Sequence, residues 1–174
     1  MKLDITKGIQ RNGIEMPFEL SESFPEDSWN GDTIRFAEPV TFSGTYMISE
    51  ETVVIRGIAE TVIEGPCARC LETARMPVKA ELSEAYVRDK GEEIIPLDEE
   101  QYRYQGHILD LYEAVRTALL LELPTRFLCK EDCKGLCPVC GTNLNRNTCS
   151  CQKDVPRRNP FSALAAMLNE DEEV

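Results

Sequence analysis

CKEDCKGLCPVCG (129–141), followed by CSC (149–151), places six of the eight cysteines of this chain between positions 129 and 151. The other two form a second tight pair, CARC (67–70). Thiols this close in sequence either hold a soft metal ion or close disulfides, and the choice decides how the rest of the chain is organised.

The opening residues Met1–Gly8 have neither an apolar signal core nor a small-residue cleavage pattern, so a cytoplasmic location is expected. Thiols stay reduced there, which favours metal ligands or redox catalysis over disulfide staples. No apolar run approaches the roughly 20 residues that a membrane helix needs. Ala114–Leu123 comes nearest, and it contains Arg116 and Glu122. No membrane contact is expected. At 174 residues the chain can build one core, or one core plus a small satellite module.

Net charge is −12, which opposes non-specific contact with a phosphate backbone. The charge is uneven. Over 126–158, Arg126, Lys130, Lys134, Arg146, Lys153, Arg157 and Arg158 face only Glu131, Asp132 and Asp154. Four thiolates around Zn²⁺ carry a net charge of about −2. The basic excess therefore either neutralises metal sites or marks a surface for nucleic acid or another partner.

From Thr33 to Val87 the pattern is β. Ile34 and Phe36, then Val40, Phe42, Tyr46 and Ile48, alternate with polar residues, and Gly44 is a candidate bulge. Thr52–Glu64 is rich in β-branched residues, and Met76, Val78, Ala80, Leu82 and Tyr86 recur at period two. Ile14–Leu20 predicts one more strand, and 21–31 an acidic loop. Residues 89–100 predict a solvated acidic loop. Asp110 and Glu113 are spaced as a capping box ahead of a helix from Leu111 to about Leu123. Its stripe of Leu111, Val115, Ala118 and Leu119 should lie on the sheet, and Pro124 ends it. Asn159-Pro160 predicts the start of a short terminal helix with Phe161, Leu164, Ala165 and Leu168 on one face.

The expected fold is therefore α+β. An antiparallel sheet or partial barrel packs with one main helix over 1–125. A small zinc-ribbon-like module with a terminal helix follows over 126–174.

Cys137-Pro-Val-Cys140 presents two thiolates from one tight loop, and Gly141 lets the backbone turn behind them. Cys149 and Cys151 are the nearest partners downstream, which predicts one centre from Cys137, Cys140, Cys149 and Cys151. Cys67, Cys70, Cys129 and Cys133 then make a second, tying a hairpin tip to the exit of the helix. This partition uses all eight thiols. A partition that puts Cys129 and Cys133 with Cys137 and Cys140 stays open, as does an unmetallated redox pair. Zinc is the expected ion, two per chain, and iron also suits four thiolates. Four cysteine ligands close a site, which speaks against a zinc hydrolase and gives an expectation of no enzymatic activity.

The only histidine, His107, has no triad partner nearby and reads as an ordinary surface or core residue. Tyr102 and Tyr104 flank Arg103 and read as a strand face rather than a stacking patch. No phosphate-cradling glycine loop and no nucleophile elbow is present, and no small-molecule substrate is evident.

CARCL (67–71), LDL (109–111), LLLELP (119–124), LC (128–129), CKGLCPVCGTNLN (133–145) and NPFSAL (159–164) occur in this order. The combination resembles the bacterial YceD family, described as large ribosomal RNA subunit accumulation proteins, over roughly 30–170. The resemblance implies a cytoplasmic, non-enzymatic factor for ribosome biogenesis whose partner is large-subunit ribosomal RNA or a ribosomal protein. Two other functions compete with it. One is a thiol redox protein using Cys67 and Cys70, with Arg69 and Arg75 lowering a thiol pKa. The other is a zinc-ribbon protein adaptor outside the ribosome.

Overall fold

The computed structural model describes residues 1–89, 91 and 102–151. Most of the acidic segment over 89–100, the helix expected at 159–168, and Lys153, Arg157 and Arg158 lie outside the described residues. Two compact units divide the chain, one over Met1–Cys133 and one from Lys134 onward. The division falls later than the 125/126 boundary that composition suggests. The reason is local: Cys133 is 4% exposed and packs with Cys67 of the first unit.

The first unit is built on a long antiparallel hairpin of β6 (Thr52–Pro66) and β7 (Thr73–Arg88), in register from Thr52↔Val87 to Pro66↔Thr73. β5 (Val40–Ser49) pairs with the first part of β6, and β2 (Met16–Glu22) pairs with β5. Beyond them, β4 (Asp32–Phe36) adds at Ile63 and Glu64, and β3 (Asp27–Trp29) folds back on β4. A single parallel ladder joins β7 to β8 (Tyr102–Tyr104). β1 (Lys2–Asp4) and β9 (Ile108–Asp110) form a separate antiparallel pair. Among the described residues, no ladder closes the sheet into a barrel.

Period two decides which face is buried. Val40, Phe42, Tyr46 and Ile48 on β5, Val53, Ile55, Ala59 and Ile63 on β6, and Val78, Ala80, Leu82 and Tyr86 on β7 all lie on one side and are buried. Each large apolar side chain so buried contributes about 1.5–3 kcal/mol. Two helices are present in this unit among the described residues: a single turn, α1 (Thr6–Ile9), against β5, and α2 (Tyr112–Leu121), against β6 and β7. Leu111, Val115 and Leu119 are buried and Ala118 is half-buried, as the stripe predicts. The N-cap of α2 falls on Leu111, one residue after the expected Asp110, and Asp110 Oδ1 still accepts the Tyr112 N–H of the first turn at 3.0 Å.

Three expectations are corrected. Gly44 is no bulge. It lies in unbroken register opposite Gly57, and a Cβ there would collide with the Arg56 carbonyl, so the strands approach too closely for a side chain. The stretch 21–31 is not all loop. It carries the end of β2, all of β3 and a two-residue turn, Asn30 (φ 51°) and Gly31 (φ 89°), with the positive φ pair of a type I′ hairpin. The helix is shorter at both ends than Leu111–Leu123.

The β3–β4 turn reaches the chain that leaves α2. Trp29 Nε1 donates to the Pro124 carbonyl and Asn30 Nδ2 to the Thr125 carbonyl, each at 3.2 Å. Phe127 follows, buried and lying against Gly65. The segment carrying Cys129 and Cys133 is thereby aimed at the tip of the β6–β7 hairpin, where Cys67 and Cys70 stand.

The described part of the second unit is a small ribbon without regular elements. Leu136 and Asn143 form an isolated bridge, and the Leu144 N–H donates to the Gly135 carbonyl at 2.9 Å. Asn143 and Asn145 brace the turn: Asn145 Oδ1 accepts the Lys134 N–H, and Asn143 Oδ1 accepts the Asn145 N–H, both at 2.9 Å.

Candidate metal centres

All eight cysteines are free, and their sulfurs gather into two groups of four. Cys67, Cys70, Cys129 and Cys133 form one, and Cys137, Cys140, Cys149 and Cys151 the other. Within each group every Sγ lies within 4.8 Å of the rest. Four sulfurs at ~2.3 Å from one ion stand about 3.8 Å apart at the edges of the tetrahedron. Cys67 and Cys133 are 3.8 Å apart, and Cys70 and Cys129 3.6 Å. A disulfide needs about 2.05 Å. The donor type, number and spacing fit a soft tetrahedral ion, so each tetrad could hold one.

Both centres start from the same loop. In the first, the Leu71 N–H donates to the Cys67 carbonyl at 2.9 Å, and the Cys67 N–H to the Glu72 carbonyl at 2.8 Å. In the second, the Gly141 N–H donates to the Cys137 carbonyl at 2.9 Å, and the Cys137 N–H to the Thr142 carbonyl at 2.8 Å. The residue after the second cysteine is left-handed in both, Leu71 at φ 62° and Gly141 at φ 72°. Such a turn points successive N–H groups at one sulfur: those of Arg69 and Cys70 at Cys67, and those of Val139 and Cys140 at Cys137.

The electrostatics follow from that geometry. Burial pushes the Cys67 thiol up, but the N–H groups of Cys129, Arg69 and Cys70 on its sulfur outweigh it and bring the pKa down to about 6. The Thr142 hydroxyl, 3.1 Å from Cys140 Sγ, and the Thr142 N–H bring Cys140 to about 6 as well. The neighbours of these thiols pay the electrostatic counterpart. Burial and the sulfurs of Cys133, Cys70 and Cys67 push Cys129 up to about 12. Cys151, beside Cys140, also rises to about 12. Four thiolates cannot share so small a space without a cation, so a metal-free tetrad keeps protons that an ion must displace.

The surroundings of the two tetrads differ. Cys67, Cys70 and Cys133 are buried and Cys129 is half-buried. In the second group Cys137 is buried, Cys149 and Cys151 are half-buried and Cys140 is exposed. Arg69 is the residue that the sequence reading assigned differently. It sits inside CARC as a modulator of thiol pKa, yet its Nη1 donates to the carbonyls of Glu131 at 3.2 Å and Cys133 at 3.0 Å. It ties one ligand pair to the other. That link spans 62 positions and has no local sequence signal.

Arg126, Lys130, Lys134 and Arg146, the described members of the basic set, are all exposed, two in each unit. Lys130 Nζ lies 3.7 Å from Asp132. His107 is exposed, and its carbonyl accepts the Ile5 N–H at 2.9 Å. Tyr102 stacks on Tyr86 with ring centroids 5.1 Å apart, and Tyr104 is buried in the same strand. Among the described residues, no helix is long and apolar enough to cross a membrane.

The sequence has relatives among known proteins. An uncharacterised protein of Mycobacterium bovis is 35% identical over 95 residues, covering 54% of this chain and 46% of its own. Arabidopsis thaliana has a chloroplastic protein named large ribosomal RNA subunit accumulation protein YCED homolog 1. It is 23% identical over 143 residues, covering 67% of this chain and 44% of its own. A Zea mays protein of the same name is 27% identical over 125 residues, covering 55% and 43%. The chain spans about half the length of the curated relatives it matches. No solved structure matches it. The model of one family, described as large ribosomal RNA subunit accumulation protein YceD, matches residues 55–168, a stretch that takes in both thiol tetrads, and the chain belongs to that family.

Proposed function

We propose that this chain is a cytoplasmic, non-enzymatic, zinc-binding factor that supports accumulation of large-subunit ribosomal RNA, by binding that RNA or a ribosomal protein of the same subunit. The observation that carries the reading is family membership together with two four-thiol centres inside the matched stretch. Zinc suits both: it takes four thiolates in a tetrahedron, stabilises the fold around it and leaves no position for water. Cys67 and Cys70 hold the hairpin tip, and Cys129 and Cys133 bring the chain after α2 onto it. Cys137, Cys140, Cys149 and Cys151 fold the following ribbon, where hydrophobic patterning is too sparse to do so. The acidic chain suits a basic protein, and the exposed Arg126, Lys130, Lys134 and Arg146 suit a phosphate backbone.

A redox role for Cys67 and Cys70 has one observation in its favour, the Cys67 thiol held near 6. That sulfur is 0% exposed, and a substrate disulfide could not reach it. The test is made in cells and on gradients. Deletion should lower the ratio of large- to small-subunit ribosomal RNA, and crosslinking should join the protein to large-subunit precursors. A normal ratio with no such association contradicts the reading.

A further inference from the structure

Resting on the metal-binding reading above, we infer that the two centres form a hierarchy. The first is a permanent clasp latched by Arg69, and the second is an exchangeable site that gains and loses its ion in the folded protein.

The two Cys-x-x-Cys loops close in the same way and part at the positions that could tie them to the second ligand pair. Cys67-Ala68-Arg69-Cys70-Leu71-Glu72 and Cys137-Pro138-Val139-Cys140-Gly141-Thr142 share their two closing hydrogen bonds and their left-handed fifth residue. They differ at the two positions between the cysteines. In the first loop both positions reach across to the partner segment. The Ala68 N–H donates to the Phe127 carbonyl at 2.8 Å. Arg69 Nη1 donates to the carbonyls of Glu131 and Cys133. These three bonds join the ligand pairs without using any sulfur, so they persist when the ion is gone. Phe127, buried against Gly65, backs them with packing.

In the second loop neither position can do this. Pro138 has no N–H to give. The Val139 side chain has no donor and is 54% exposed. Among the described residues, no backbone hydrogen bond joins 148–151 to the loop 137–141. Apart from the short turn over 142–147 that leads from one pair to the next, the two ligand pairs of the second centre therefore depend on the ion itself to stay together.

Access differs in the same direction. Metal leaves a thiolate site when an incoming ligand replaces one sulfur after another. A pre-tied ligand pair holds each displaced thiolate at high effective concentration, and recapture wins. Three of the four thiols of the first tetrad are buried. The second has Cys140 exposed and a cavity of about 250 Å³ opening on Cys137, Cys149 and Cys151. An incoming thiol or chelator can enter there. The ribbon from Lys134 onward is thereby coupled to metal supply, while the body keeps its own clasp.

The full chain, loaded with zinc, is challenged with excess EDTA and followed by time-resolved native mass spectrometry. One ion should leave quickly and the other at least about tenfold more slowly, given the usual weight of outer-shell partners. Cys137→Ser/Cys140→Ser should retain only the slow ion. Arg69→Ala should speed the slow phase by about 10–100-fold and leave the fast phase unchanged. Arg69→Lys, which keeps a cationic donor but not the planar guanidinium, should fall between and serves if Arg69→Ala does not fold. Release of both ions in one phase overturns the hierarchy, and so does a fast-only ion in Cys137→Ser/Cys140→Ser. A protein that takes up no zinc at all overturns instead the metal reading on which the hierarchy rests.

Discussion

Leu71 and Gly141 hold the same place in two equivalent loops, and only one of them is suited to it. Gly141 adopts its left-handed φ freely. Leu71 is 70% exposed and has little packing to offset its strain. Gly141→Ala should cost about 1–2 kcal/mol. Leu71→Gly should change stability by less than about 1 kcal/mol, because relieved strain and a freer unfolded chain oppose each other. Thermal unfolding of the metal-loaded variants separates the two, and equal losses would contradict the shared loop geometry. The thiols set a second expectation. At pH 7, Cys67 and Cys140, near 6, are ionised, while Cys129 and Cys151, near 12, are protonated. The backbone N–H groups of Glu72 and Cys151 favour the ionised forms of Cys70 and Cys149, but burial and neighbouring sulfurs outweigh them and hold both thiols above the usual value of 9.0. Each centre must then expel at least two protons to bind its ion. Apparent zinc affinity should rise about 100-fold per pH unit between pH 7 and 8. Below pH 6 the slope should steepen as Cys67 and Cys140 also bind protons. A competition titration across pH gives the slope, and a flat profile would show that the thiols are not the ligands.

Among the elements, β6, β7 and α2 were legible in the sequence because each is long enough to show its period. The residues at period two in β7 and the stripe of α2 lie on the buried side as read. β1, β9 and α1 were not legible, since each has only three or four residues, whereas the alternating Tyr102 and Tyr104 read as the strand face that β8 is. β1 is specified by β9, more than a hundred positions away, and no window of sequence contains both. β3 is as short, and its Asn30-Gly31 turn was visible only as part of an acidic stretch. What fixes β3 is Asp27, whose carboxylate takes two hydrogen bonds from Arg116 on α2, one of them 2.8 Å from Nη2. The Arg116 guanidinium holds the Asp27 carboxyl below its usual value of 3.8. This contribution is therefore fully present above pH 3.8 and is lost as pH falls through the lower folded value. Asp27→Asn should cost about 1–3 kcal/mol at pH 7 and flatten the acid limb of a stability profile. An unchanged acid limb would mean that the pair does not anchor β3.

For the whole molecule, the thiol inventory was the most legible feature. Eight cysteines in four close pairs suggest two sets of four, and spacing alone left open whether Cys129 and Cys133 join Cys67 and Cys70 or Cys137 and Cys140. The geometry gathers Cys129 and Cys133 with Cys67 and Cys70. The place where the two units part was less visible, because composition changes near 126 while Cys129 and Cys133 fold back onto the first unit. The basic residues around the cysteines, read from sequence as one block, fall on both sides of that division. All of this stands on the eight thiols acting as two independent sets of metal ligands. Native mass spectrometry with elemental analysis measures that directly. The account predicts two zinc ions per chain, one surviving in Cys67→Ser/Cys70→Ser and one in Cys137→Ser/Cys140→Ser. A metal-free protein, or loss of both ions from either variant, would contradict it.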